Sequence, residues 1–397
     1  MPKTTSSLPV VTLKPGEERR LRRGHCWAYD AEIHRAPGGL RAGDSVILVD
    51  DRGQQLGSAL WNPASLIRAR LFSRRAVDYR EHVGEAVGKA LALRELLYGG
   101  SPNYRLIYGE SDGLPGLTVD RYGPLLVAQL ASAVSEAHAP ALVAALEAVP
   151  GVRGLILRRD GSVRRKEKLP REEPELLGEI PDPAWAEEGG LRFVLDPVGG
   201  LKGGWFWDQR DNRAWLRGVA RGRRVLDIFC HSGGFALQAA AGGASQVLGL
   251  DRSEPALALA RASADANRLR ERCRFQALEL MRPGKGGPGW PHGQWDLVVL
   301  DPPALAKERD EAESALGAYE HLNRRAAGRV APGGILLTCS CTYPVEERVW
   351  RGRVLRAVGK AGRQARVIYT GGQGGDHPEL PGMPETRYLK VLGLQLD

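Results

Sequence analysis

From Arg223 to Cys341, short apolar runs alternate with stretches of helical periodicity, and this constrains the fold more than any other feature. RRVLDIF, FALQAAAGG, QVLGLD, EPALALARASADANR, CRFQA, WDLVVLD and GGILLTC follow one another, with a further helix between the last two. Strands alternating with helices build a doubly wound, mostly parallel sheet. The fold class is therefore α/β, with a Rossmann-like domain expected over residues 191–397. Ligands of such sheets bind beyond the carboxyl ends of the strands.

Three of these runs carry an acid to that edge. The first ends in Asp227 and is followed by a short loop with Gly233–Gly234, where glycine lets the backbone approach a bound ligand. The second ends at Asp251, 24 residues later, a spacing that suits hydrogen bonds to ribose hydroxyls. The loop is not GxGxxG and no Walker lysine follows, so neither NAD nor a nucleoside triphosphate is favoured. Its bland reading is a structural strand–turn–helix. The third run delivers Asp301, and Pro302–Pro303 fix the turn after it.

A fourth run, GGILLTCSCTYP, brings two cysteines to the same edge. Strand positions i and i+2 share a face, so Cys339 and Cys341 are expected to point the same way on a strand from Ile335 to Cys341. Cys341 lies at the carboxyl end, and Cys339 lies about 6–7 Å behind it. Cys341 is the candidate nucleophile and Cys339 a small core residue, since free cysteines are commonly buried. A disulfide between them is the alternative, but a strand holds such Cα atoms near the usual limit.

The remaining sequence points to two smaller domains. Residues 8–75 hold short β-like runs broken by glycine (DSVILVD, GQQLGSAL, LIRARLF), which suggests a small barrel. Two arginine clusters lie there, Arg19, Arg20, Arg22 and Arg23, then Arg68, Arg70, Arg74 and Arg75. They read either as a solvated basic face or as a phosphate-contacting surface. Residues 76–190 open with a helical pattern at 80–99, continue with strands around a glycine-rich turn, and hold a second helix at 139–149. The charged stretch from Arg158 to Trp185 reads as a loop or hairpin region. The net charge of +9 points weakly to a polyanionic partner. Five cysteines without CxxC spacing argue for a reducing cytoplasm and against a zinc site. No apolar run reaches a membrane-spanning length, and the N-terminus does not read as a signal peptide.

Seven stretches then carry a resemblance: VTLKPGEERRLRRGHCWAYDAEI, GESDGLPGLTVDRYG, LKGGWFWDQRDNR, LDIFCHSGGF, DPPALAK, TCSCT and DHPELPGMPETRYLK. Together and in this order they resemble the PUA-containing cytosine-5 methyltransferases of bacterial 23S ribosomal RNA, the RlmI type. The resemblance implies a PUA-like barrel (8–75), a small middle α/β domain (76–190) and a class I S-adenosylmethionine-dependent methyltransferase domain (191–397). It implies S-adenosylmethionine at Asp227, Phe229, His231, Ser232, Gly233, Gly234, Asp251, Arg252, Glu279 and Asp301, with Gln209 as a lid contact. At Glu279 the family more often has Asp. Cys341 and Asp301 would be catalytic, with no metal. The implied partner is 23S ribosomal RNA in the cytoplasm, with no membrane, and a homodimer stays open. Other readings are a uridine-5 RNA methyltransferase, an N-methyltransferase (disfavoured by Ala304 after the two prolines), and an RNA-binding assembly factor without catalysis.

Overall fold

The computed structural model describes residues 8–200, 204–281 and 289–397. Leu201, Lys202 and Gly203 of the LKGGWFWDQRDNR stretch lie outside the described residues. The chain forms two compact units. One comprises residues 1–184, 197–205 and 375–386; the other comprises 185–196, 206–374 and 387–397.

The first unit contains two sheets. A six-stranded mixed sheet is built from Val10–Leu13, Trp27–Tyr29, Ile33–Arg35, Ser45–Val49, Gln55–Trp61 and Ile67–Ser73. Its core is Val11, Leu13, Leu21, Val46, Leu48, Ala59 and Leu71, all 3% exposed or less. A five-stranded sheet follows, in the order Glu172–Gly178, Gly154–Arg159, Leu125–Leu130, Leu117–Tyr122, Asn103–Tyr108. The helix expected near 80–99 spans Tyr79–Tyr98. The Asp78 side chain accepts the Arg80 N–H at its start, and Gly99 ends it in a left-handed conformation that glycine adopts without strain. The charged stretch after Arg158 contributes the edge strand Glu172–Gly178, while the two-stranded sheet of Ala184–Glu188 and Leu191–Leu195 belongs from Trp185 onward to the second unit.

The second unit is built on seven strands. They are β1 (Arg224–Ile228), β2 (Gln246–Asp251), β3 (Cys273–Ala277), β4 (Trp295–Leu300), β5 (Val330–Ser340), β6 (Ala365–Gly371) and β7 (Lys390–Leu396). The order across the sheet is β3-β2-β1-β4-β5-β7-β6. Strands β1 to β5 pair in parallel, and β7 runs antiparallel between β5 and β6. The helices are α1 (Arg210–Val219), α2 (Gly234–Ala241), α3 (Glu254–Ala266), α4 (Ala312–Ala327) and α5 (Glu347–Lys360). Leu226, Ile228, Leu250, Val298, Leu300 and Leu336 are fully buried in one core with Tyr319 and Trp350 of α4 and α5. A parallel sheet covered on both faces reads as unbroken apolar runs, which is why these strands stood out in the sequence.

Candidate active site

The carboxyl ends of β1, β2, β4 and β5 bring Asp227, Asp251, Asp301 and Cys341 to one edge of the sheet. Asp227 lies one residue inside the end of β1 and is 1% exposed. One of its carboxylate oxygens accepts the Ala236 N–H at 3.0 Å in the first turn of α2. The other is buried with no hydrogen-bond partner among the described residues. Burial, then the charges of Asp301 and Asp251, push its carboxyl up to about 8, so it keeps its proton at neutral pH.

The loop after β1 is held in a strained shape. Phe229 (φ 67°) and His231 (φ 47°) adopt the left-handed conformation that side chains disfavour, and Gly233 (φ 82°) adopts it freely. Asp251 fixes this shape by accepting N–H groups from His231 and Ser253, each at 2.9 Å. The Cys230 N–H reaches the Leu250 carbonyl at 2.9 Å, and Gly249 opposite leaves room for it. A methyl group at Gly249 would stand 2.7 Å from the Phe275 ring and 3.0 Å from Cys230 Sγ. Ser232 Oγ is 3.1 Å from His231 Nδ1, and Phe206 meets the His231 ring edge-on. Burial holds that imidazole below its usual range. Gly234 opens α2.

Arg252 and Glu279 are exposed beside this loop. Leu278 N–H donates to the Asp251 carbonyl at 2.8 Å, which places Glu279 beside the end of β2. The Glu279 carboxylate accepts the Met281 N–H at 2.9 Å.

Asp301 follows β4, and its carboxylate accepts a hydrogen bond from the Gln209 side chain at 3.0 Å. Gln209 is buried and in turn accepts from Asn212 at 2.7 Å. The Tyr369 hydroxyl of β6 donates to Asn212 at 2.9 Å. Gln209, which the resemblance implies as a lid contact, rests its amide on the Asp301 carboxylate.

The two cysteines separate sharply. Strand β5 ends at Ser340, and Cys341 follows it, partly open to solvent. Cys339 is 0% exposed, and burial, then Asp301, push its thiol far above the usual range. Thr342 anchors the segment after Cys341. Its hydroxyl accepts the Leu305 N–H at 2.9 Å from the DPP turn and shares a hydrogen bond of 2.7 Å with Tyr319. Its carbonyl accepts from Lys390 Nζ at 2.6 Å. Sequence reasoning assigned no role to Tyr319, Thr342 or Lys390. The neighbouring threonine in TCSCT and the lysine closing RYLK were the available signals.

The arginine clusters of the first unit are mostly paired. Arg20 meets Glu32 at 2.5 Å, Arg22 meets Asp50 at 2.7 Å, and Arg70 meets both Glu110 and Glu167. Arg68 binds Asp30, Arg75 binds Glu85, and Arg74 donates to the Leu21 carbonyl. Arg19 and Arg23 are exposed and have no acidic partner among the described residues. The first cluster therefore contains two paired residues, Arg20 and Arg22, and two exposed ones, Arg19 and Arg23.

Comparison with known proteins agrees with this architecture. Residues 11–74 match a PUA-like domain, and residues 138–355 match an S-adenosylmethionine-dependent methyltransferase family. Ribosomal RNA large subunit methyltransferase I from Salmonella schwarzengrund is 35% identical over 98% of this chain and 97% of its own length. The same-named protein of Salmonella enteritidis matches equally. Among solved structures, SMU.776, a putative methyltransferase complexed with SAH, superposes with a TM-score of 0.81 at 21% identity. It covers 97% of this chain and 99% of its own. A putative SAM-dependent methyltransferase from Streptococcus mutans gives 0.79 at 20% identity, over 97% of this chain and 100% of its own. On the sequence matches, which run nearly end to end, the chain belongs to the ribosomal RNA large subunit methyltransferase I family of S-adenosylmethionine-dependent enzymes.

Proposed function

We propose that this enzyme methylates carbon 5 of a cytosine in 23S ribosomal RNA through a covalent bond to Cys341, acting in the cytoplasm. The observation that carries the reading is the contrast at the end of β5. Cys341 is partly open beyond the strand, while Cys339 is sealed and held as a thiol. Residues 8–75 would serve as the RNA-binding barrel, 76–190 as the middle domain and 191–397 as the methyltransferase domain.

The loop from Phe229 to Gly234, with Asp251, Arg252 and Glu279, would hold S-adenosylmethionine, which when bound supplies an electrophilic methyl group. The unsatisfied Asp227 oxygen suits a cationic donor such as the amino group of that molecule. Carbon 5 of cytosine is a poor nucleophile until a thiolate adds at carbon 6. The Cys341 thiolate forms that bond, and the ring electrons move toward carbon 5. A proton shared between the Asp301 carboxyl and ring nitrogen 3 would ease the addition. After methylation the carbon 5 proton leaves, the double bond re-forms and Cys341 is released. The base must be unstacked to reach a thiol at this edge.

Trapping tests the reading. Ribosomal RNA fragments carrying 5-fluorocytosine keep the thiol joined to the base, because fluorine at carbon 5 blocks release. Wild type and Cys339→Ser should form the adduct, and Cys341→Ser should not. A 5-fluorouridine fragment should stay free, and an adduct with it alone would move the reading to uridine. An adduct lost in Cys339→Ser and kept in Cys341→Ser would make the deeper thiol the nucleophile.

A further inference from the structure

Lys390 opens β7 and pairs with Ser340, the last residue of β5, across the sheet. It is 5% exposed, unusual for a lysine, which is almost never buried unless paired. Its Nζ donates to the carbonyl of Thr342, the residue after Cys341. Its two other N–H groups have no hydrogen-bond partner among the described residues. A buried ammonium left in this state calls for an anion beside it.

Among the described residues, few groups can supply one. The charges acting on Lys390 are Cys341, Glu347 and Arg387. Glu347 is bound by Arg387 at 2.7 Å, so those two largely cancel. Around Cys341 stand Tyr319 and Cys339, and burial keeps both neutral. Asp301 acts on both Tyr319 and Cys339 and opposes a negative charge there. Among the described residues, Lys390 is a buried cation on which Cys341 acts. Burial pulls its amine down to about 8, close to the ordinary value of a thiol, so the two groups compete for one proton.

Resting on Cys341 as the nucleophile, we infer that Lys390 takes the Cys341 thiol proton and holds the resulting thiolate as its ammonium partner. The S–H bond breaks, an N–H bond forms, and the pair stays neutral overall. The sulfur electron pair is then free to bond carbon 6 of the base, and the ion pair returns when the thiolate leaves. Lys390 thus acts through Cys341, as a positioning and charge partner.

Alkylation of Cys341 by iodoacetamide, without RNA, tests this apart from any methyl transfer. The rate is followed from pH 5 to 10 by peptide mass spectrometry, which separates Cys341 from the other four cysteines. In Lys390→Met the midpoint should rise by about one pH unit or more, with alkylation at pH 7 about 10-fold slower. Lys390→Arg keeps the charge and should keep the low midpoint. An unchanged profile in Lys390→Met overturns the pairing, whatever happens to methyl transfer. A shifted profile without any fluorocytosine adduct would sustain the pair and remove the cytosine reading. Lys390→Met loses the hydrogen bond to the Thr342 carbonyl and should melt somewhat below wild type, so its profile is read well under that melting temperature. Should it fail to fold, the wild-type profile decides, because a Cys341 midpoint at or above about 8.5, the ordinary thiol value, overturns the pairing.

Discussion

Buried carboxylates in the two compact units are treated in opposite ways. In the first unit Asp112 lies against Arg94, Asp120 against Arg105 and Glu167 against Arg70, every one of these side chains 9% exposed or less. At the strand ends of the second unit, buried Asp227 and half-buried Asp251 take backbone N–H groups and, among the described residues, no basic side chain. The second unit is able to pair a buried acid, as Glu188 with Arg213 shows away from that edge. The difference follows from what each acid is for. A guanidinium occupies the lone pairs of its carboxylate, whereas Asp227 keeps one buried oxygen without a partner among the described residues and a raised proton affinity.

The comparison can be broken most forcefully at Arg94. Its guanidinium binds Asp112 through two hydrogen bonds of 2.6 and 2.8 Å and also donates to the Arg105 and Asp376 carbonyls. Arg94→Met strands a buried carboxylate and should lower stability by about 3–5 kcal/mol in urea unfolding. Adding Asp112→Asn to it should recover part of that loss. A single-mutant loss below about 1 kcal/mol, the level of an exposed pair, would mean that the pairing is not structural.

Asp227 sharpens the comparison through pH. Its folded value of about 8 lies above the ordinary carboxyl value near 3.9, so between those limits the unfolded chain has lost a proton that the native protein keeps. Stability should therefore fall as pH rises from about 4 to about 8, by at most about 1.4 kcal/mol per unit, and level off above. Asp227→Asn keeps an oxygen for the Ala236 N–H and should remove this contribution. Unfolding measured at pH 5 and pH 8 in both proteins gives the test; equal slopes would show that Asp227 is ionised throughout.

Much of this unit was legible because its signals are local. Asp227, Asp251 and Asp301 each end an apolar run, and a buried parallel strand writes itself as such a run. The edge strand Glu172–Gly178 reads as loop because it carries three glutamates and Pro174, which an edge tolerates and a central strand does not. Strand β7 escaped for another reason. Lys390 pairs with Ser340 across fifty residues of sequence, and only the fold reveals that a lysine opening a strand is buried. Its place beside Cys341 is a product of topology. The arginine clusters show the same limit, since sequence counts cations but does not say which already have partners.

That limit yields the smallest expected effect. Arg19 and Arg23 are exposed and lack acidic partners among the described residues, whereas Arg22 is tied to Asp50. Reversing Arg22 would set a carboxylate against Asp50 and disturb the barrel, confusing a binding loss with a folding loss. Arg19→Glu with Arg23→Glu avoids this and should leave the melting temperature nearly unchanged. If each arginine meets one phosphate, the slope of log K against log salt should flatten by about 0.7–0.9 per residue, depending on strandedness. Binding to a ribosomal RNA fragment, measured at four or more salt concentrations, reads this directly. An unchanged slope would assign both residues to a solvated face and move the phosphate contacts elsewhere on the chain.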